Sequence, residues 1–178
     1  MNQRAIQLEK KVAAPASVIR PSLETLVYLC RNALPAEVEQ YAALTFAEYD
    51  AEAAATAFWR AGKWSLGVAH PDGTPAAAGG YEQVAPGVWQ SWMVGTVRGW
   101  REMWVDIHRA TRYLTEALVD SGLARRLQTM ALAKRTEACE WYERLGLIYE
   151  GTMRGFAADG QDVVMYGRAI PGAEQEVL

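Results

Sequence analysis

The stretch Leu127–Tyr149, LQTMALAKRTEACEWYERLGLIY, decides the fold. Leu127–Ala133 is a short apolar run of strand type. Arg135–Arg144 follows as a short amphipathic helix carrying Ala138 and Tyr142, and Trp141, Tyr142 and Leu145 offer an apolar face to a sheet. Gly146 closes that helix, and Leu147 begins a return to strand. Ala138, Tyr142 and Gly146 are each four residues apart, which places them on successive helical turns.

Working outward, the sequence predicts a long helix over Arg101–Ser121, with Trp104, Ile107, Thr111, Leu114 and Leu118 on one stripe and Gly122 at its end. Before it lie three strands, Trp64–Ala69, Pro75–Val84 and Val88–Gly95. They are joined by the turns Pro71-Asp72-Gly73 and Pro86-Gly87, as in an antiparallel meander. Three helices precede the meander: Ser22–Ala33 with Ser22 as N-cap, a second opened by Pro35 and running to Leu44, and Tyr49–Ala61 stopped by Gly62. One short strand is expected at Ser17–Arg20. Downstream, Leu147–Phe156 and Asp162–Ala169 form a hairpin through Asp159-Gly160. The order gives an α+β class with a mixed sheet. Residues 1–21 read as an N-terminal arm, 22–170 as a single domain and 171–178 as a polar tail.

A chain of 178 residues, 51% hydrophobic and 22% charged, fits one folded domain. Its net charge of −3 gives no general polyanion-binding signature, so nucleic acid is not an expected partner. The charge is uneven: residues 1–21 carry Arg4, Lys10, Lys11 and Arg20 against Glu9 alone. Such an arm suits docking on an acidic protein, or is simply solvated. Cys30 and Cys139 sit in predicted helices without metal-ligand spacing, so no metal is expected and both thiols are expected reduced. No run has the length of a membrane span and no secretory hydrophobic core opens the chain, so a soluble protein is expected.

The element order, together with Ala138, Tyr142 and Gly146, resembles the GNAT N-acetyltransferase family from about Leu23 to Arg168. That resemblance implies a GNAT-like mixed sheet whose two central parallel strands, here Val88–Gly95 and Leu127–Ala133, splay apart to hold acetyl-CoA. It implies cofactor contacts at Val94 and Gly95 on the strand, at Arg98, Gly99 and Arg101 where the next helix starts and anions are favoured, and at Arg135 on the later helix. It further implies a catalytic acid at Tyr142, which would protonate the departing thiolate.

This chain departs from the family pattern in several places. The turn reads Gly95-Thr96-Val97-Arg98-Gly99-Trp100-Arg101, without the usual pair of small residues. Arg135 stands where the family has a cofactor-contacting Asn, and Leu147 replaces a Phe. A plain strand-to-helix turn explains Arg98 and Gly99 as well as a phosphate cradle does, and Tyr142 suits a core aromatic as well as an acid. Glu82 is the only carboxylate on the meander strands available as a base, beside Gln90 and Ser91, and such a strand residue is more often solvent-facing than a base. His70 falls in a loop and His108 on a helix, neither with a motif partner. Seven tryptophans are many for this length, and Trp92 and Trp104 are placed to fill the cleft or to meet a protein partner.

A narrower set of residues is similar to an acetyltransferase-like family typified by the internal virion protein A of short-tailed phages. The matching residues are Arg31, Glu37-Val38, Trp92 through Thr96, and Gly160, with Leu34 where that family has an aspartate. This resemblance implies a virion-associated or head–tail assembly role in an oligomeric particle, with degraded acetyl-CoA chemistry. The partners would be other virion proteins, met through the arm and the aromatic surface. The setting would be the virion or host cytoplasm, with acetyl-CoA admitted by the fold but not required. The alternative is an active acetyl-CoA-dependent N-acetyltransferase acting on a protein or small-molecule amine.

Overall fold

The computed structural model describes residues 17–171, so most of the expected arm (residues 1–16) and of the tail (172–178) lies outside the described residues. One mixed sheet of seven strands runs through the molecule in the order β1-β2-β3-β4-β5-β7-β6. The strands are β1 Val18–Ile19, β2 Trp64–Ala69, β3 Pro75–Ala85, β4 Val88–Gly95, β5 Arg126–Leu132, β6 Ile148–Met153 and β7 Val163–Ala169. Among the described residues only β4 and β5 pair in parallel, and every other neighbouring pair is antiparallel. The final hairpin folds back so that β7 lies between β5 and β6.

Among the described residues six helices cover the sheet: α1 Leu23–Arg31, α2 Pro35–Thr45, α3 Ala51–Ala61, α4 Val97–Glu102, α5 Trp104–Asp120 and α6 Thr136–Arg144. Their starts follow local chemistry. The Ser22 hydroxyl accepts from the Thr25 N–H at 3.1 Å, and the Asp50 carboxylate accepts from the Ala53 N–H at 2.6 Å. Gly146, at φ +82°, lets the chain turn out of α6 and back towards β6.

Helix α4 replaces part of what the sequence suggested as a turn. Its cause is Thr96, whose hydroxyl accepts from the Gly99 N–H at 2.8 Å and so caps a short helix directly after β4.

Two apolar layers sandwich the sheet. Ile107, Leu114 and Leu118 of α5 and Trp141 and Tyr142 of α6 pack on one face against Trp89, Leu127 and Tyr166. Leu26, Leu29 and Cys30 of α1 and Ala54 and Ala55 of α3 pack on the other against Ala78 and Val94. Helix α2 closes the end of the second face, where Ala43 meets Leu132, Ala157 and Val163. Among the described residues, no helix is long and apolar enough to cross a membrane.

Candidate functional site

The parallel strands β4 and β5 pair only at Val88↔Arg126, Trp89↔Leu127 and Gln90↔Gln128. Beyond Gln90 each keeps its outer neighbour, β4 as far as Gly95 along β3 and β5 as far as Leu132 along β7. The two strands therefore diverge, and a side-chain bond from Gln128 Nε2 to Gln90 Oε1 at 3.1 Å marks the fork. Freed strand amides in a protein interior need partners, and α2 supplies them at the wide end. The Glu37 carboxylate accepts from the Gly95 N–H at 2.7 Å, the Leu34 N–H donates to the Gly95 carbonyl at 2.9 Å, and Gln40 Oε1 accepts from the Leu132 N–H at 3.2 Å. By the alternation of a strand, the backbone of Met93 faces the same gap as that of Gly95.

A cavity of about 710 Å³ threads this gap and has walls on both faces of the sheet. On the α5–α6 face it is lined by Trp100, Thr129, Trp141 and Tyr142. On the other face it is lined by Tyr41, Phe58 and Trp92. Small residues make the room: Ala77, Ala78, Gly79 and Gly80 of β3 all lie on the wall. Neither Trp92 nor Trp104 fills the cleft. The Trp92 indole stacks on Phe58 with centroids 4.7 Å apart, and Trp104 leans on His108 at 5.6 Å. Trp141 Nε1 donates to His108 Nδ1 at 3.0 Å, which fixes that indole along the groove.

Two buried acids meet at the cavity. Tyr142 is 9% exposed. Burial pushes its phenol above the usual tyrosine range, partly offset by the Arg135 charge and the Thr129 hydroxyl, so it holds its proton at neutral pH. Glu37 is 8% exposed and is the one acidic side chain buried among the described residues. Burial raises its carboxyl to about 7, against the opposing pull of the Gly95 N–H, Arg135 and the Trp100 indole, whose Nε1 donates to Glu37 at 2.8 Å. Arg135 thus acts on both groups. Among the described residues, no group of three or more His, Cys, Asp or Glu side chains could hold a metal ion.

The turn after β4 is built differently. A Cβ at Gly99 would lie 2.1 Å from the Ala76 carbonyl oxygen, so this glycine lets α4 press against β3. Arg98 is paired with Asp72 at 3.0 Å and with Glu102 at 2.9 Å, and Arg101 with Glu102 at 2.7 Å. The N–H groups of Trp104, Val105 and Asp106 open α5 without a backbone acceptor among the described residues, but the acidic Asp106 stands in that first turn.

Of the residues singled out from sequence, Val94, Arg135 and Tyr142 share the cavity wall. Gly95 reaches it through its amide bond to Glu37, while Arg98, Gly99 and Arg101 stand outside it. Glu82 is exposed on β3. Sequence reasoning did not assign Glu37 to the chemistry. The available signal was its helical spacing to Gln40, Tyr41 and Leu44, a single α2 face that mixes an acid with apolar groups. Two pieces of the narrower motif also converge, since Glu37 binds Gly95 within the Trp92–Thr96 stretch.

No family model matches the sequence, and no curated protein sequence matches it. Solved structures match its shape. A proposed acetyltransferase from Salmonella typhimurium, solved with its cofactor acetyl-CoA, superposes with a TM-score of 0.70 at 8% identity over 90% of this chain and 98% of that one. The GNAT-family acetyltransferase of Bacillus anthracis gives 0.64 at 8% identity over 85% and 93%. A microcin self-immunity acetyltransferase in complex with acetyl-CoA and AMP gives 0.66 at 12% identity over 89% and 96%. The chain has the GNAT fold.

Proposed function

We propose that this protein is an acyl-CoA-dependent N-acyltransferase that holds an acyl-pantetheine arm in the gap between β4 and β5. One observation carries the reading: buried Tyr142 and buried Glu37 stand on the wall of a single cavity that threads an open strand fork. The gap fits an extended amide-bearing arm, because Met93 offers backbone groups to it and Gly95 does so once Glu37 lets go. The turn at Arg98–Trp104 does not fit a diphosphate in the usual way, since its arginines already face carboxylates.

When bound, the cofactor supplies an acyl thioester, with an electrophilic carbonyl carbon and a thiolate leaving group. Glu37, with a carboxyl near 7, accepts a proton from the incoming ammonium and frees the nucleophilic amine. With the thioester bound, Tyr142 would give its proton to the departing sulfur as the amine nitrogen bonds to the acyl carbon and the carbon–sulfur bond breaks, and the proton shed by the new amide nitrogen would return the phenolate to the phenol. Arg135 restrains the phenol's upward shift and then stabilises the phenolate left behind. The low polarity of the wall keeps water from competing for the acyl group. Acetyl-CoA binding by calorimetry, coupled to amine acetylation by the wild type and by Tyr142→Phe, tests this. The expected result is binding, with turnover lost in the variant. No binding at millimolar acetyl-CoA would sink it.

A second reading draws on the remodelled turn: a virion-associated, head–tail assembly protein in which the site is a remnant. Its partners would be other virion proteins reached through residues 1–21. Deleting that arm should then abolish incorporation into particles, and full incorporation without it would count against the assembly role.

A further inference from the structure

Resting on the transferase reading, we infer that the half of the cavity on the α1–α3 face seats the acyl acceptor, and that the acceptor is a flat aromatic monoamine. Helix α2 presents Glu37, Tyr41 and Leu44 to the cavity at spacings of one and two turns, so a carboxylate and an aromatic wall share one helix face. The Tyr41 ring meets Phe58 edge-on at 5.6 Å and Tyr49 edge-on at 5.6 Å, and Phe58 stacks on Trp92 at 4.7 Å. The Tyr49 hydroxyl, donating to the Cys30 carbonyl at 2.7 Å, fixes one edge of this wall.

The Trp92 indole that carries Phe58 lies flat along β3. A Cβ at Gly80 would lie 2.8 Å from the Trp92 ring, so a glycine is needed for that indole to lie across β3. The charged side chains on the whole cavity wall are Glu37, Lys134, Arg135 and Glu137. Of these, Glu37 shares the α2 face with Tyr41 and is the acid beside the aromatic rings, while Lys134 is already paired with Glu39. A neutral aromatic slot ending in one buried carboxylate complements a flat apolar body ending in one ammonium. A polyamine would bring a second ammonium against the rings of Tyr41, Phe58 and Trp92, beside which Glu37 is the buried acid. The cavity passes through the sheet at the fork, so a group seated here meets the gap from the face opposite Tyr142.

The same flat group could instead arrive on the acyl donor, and the experiment separates the two sources. Wild-type kcat/KM is compared for 2-phenylethylamine and putrescine with acetyl-CoA, and for putrescine with phenylacetyl-CoA. In parallel, 2-phenylethylamine and the neutral 2-phenylethanol are titrated into 15N-labelled Tyr142→Phe protein without cofactor, following the Trp92 indole N–H. The inference expects phenylethylamine to be preferred over putrescine by roughly tenfold or more, with a Trp92 shift on binding. It expects Phe58→Leu, or Tyr41→Leu if the first variant misfolds, to remove that preference. Glu37→Gln should weaken the amine and leave the alcohol unchanged.

Equal use of putrescine, no Trp92 shift, or a preference that appears only with phenylacetyl-CoA would overturn the acceptor seat. Those outcomes leave acetyl transfer itself standing. A Trp92 shift with no turnover of any amine would keep the seat and refute the transferase.

Discussion

The two ends of the β4 strand have been treated in opposite ways. Around Gln90–Met93 the strand parts from β5, and the gap keeps a cavity, a protonated phenol and a buried carboxylate. Beyond Gly95 the chain closes up: Gly99 is pressed against Ala76, Thr96 caps α4, and Arg98 and Arg101 are held by Asp72 and Glu102. Under the proposed function the first region would bring two reactants together, whereas the second packs. The contrast teaches that holding the reactive end of a cofactor and holding its phosphates are separable tasks within one fold. In the proposed transferase the fork would hold the reactive end of the donor, and the packed turn would contribute little to anchoring its phosphates.

The largest effect should come from the reactive half. Tyr142→Phe keeps the aromatic packing and removes only the proton donor, so kcat should fall by about 10²–10⁴-fold with the fold intact. A steady-state assay alongside a thermal melt checks both statements, and unchanged turnover would erase the distinction between the two regions.

Next comes Glu37→Gln. With a carboxyl raised from 4.5 to about 7, the native state binds more protons than the unfolded chain between those values. Stability should therefore fall as pH rises from about 4.5 to about 7 and stay level above that, a loss on the order of 3 kcal/mol. Urea unfolding at pH 5 and pH 8 should show this slope in the wild type and its absence in the glutamine variant. In the wild type, kcat/KM should climb through about pH 7 as the base ionises, and the variant should lack that limb.

Gly99→Ala probes the packed half. Its Cβ would press on the Ala76 carbonyl, a backbone atom that cannot swing aside, so folding should lose about 1–3 kcal/mol. Ligand affinity of the remaining folded protein should hold; a loss of cofactor binding without a loss of stability would restore Gly99 as a phosphate contact. The smallest effect belongs to Arg98→Ala. Because that exposed guanidinium is paired with Asp72 and Glu102, acetyl-CoA affinity should change by less than about threefold by calorimetry.

Much of this architecture was readable in the sequence, because long periodic elements and their stops are written locally. The stripe from Ile107 to Leu118, the caps at Ser22 and Gly146, and the paired turns of the meander each specify an element without tertiary help. The cavity wall was readable where a residue's position follows from its element, as at Val94 and Tyr142. Glu37 was not, because its burial depends on Gly95 and Trp100, about sixty residues away, and no local pattern announces a carboxylate bonded across a strand fork. The fate of Arg98 was hidden for the same reason, as Asp72 reaches it from the β2–β3 turn. Trp92 and Trp104 looked bulky enough to block the cleft, and only their stacking on Phe58 and His108 shows them folded onto its walls.

If the proposed transfer site works without a strong nucleotide anchor, kcat/KM measured with one amine should be similar for acetyl-CoA and for acetylpantetheine. Tyr142-dependent acetylation is expected from both donors, with the nucleotide contributing no more than about tenfold. Acetylation that vanishes with acetylpantetheine, or that proceeds from neither donor, would contradict it.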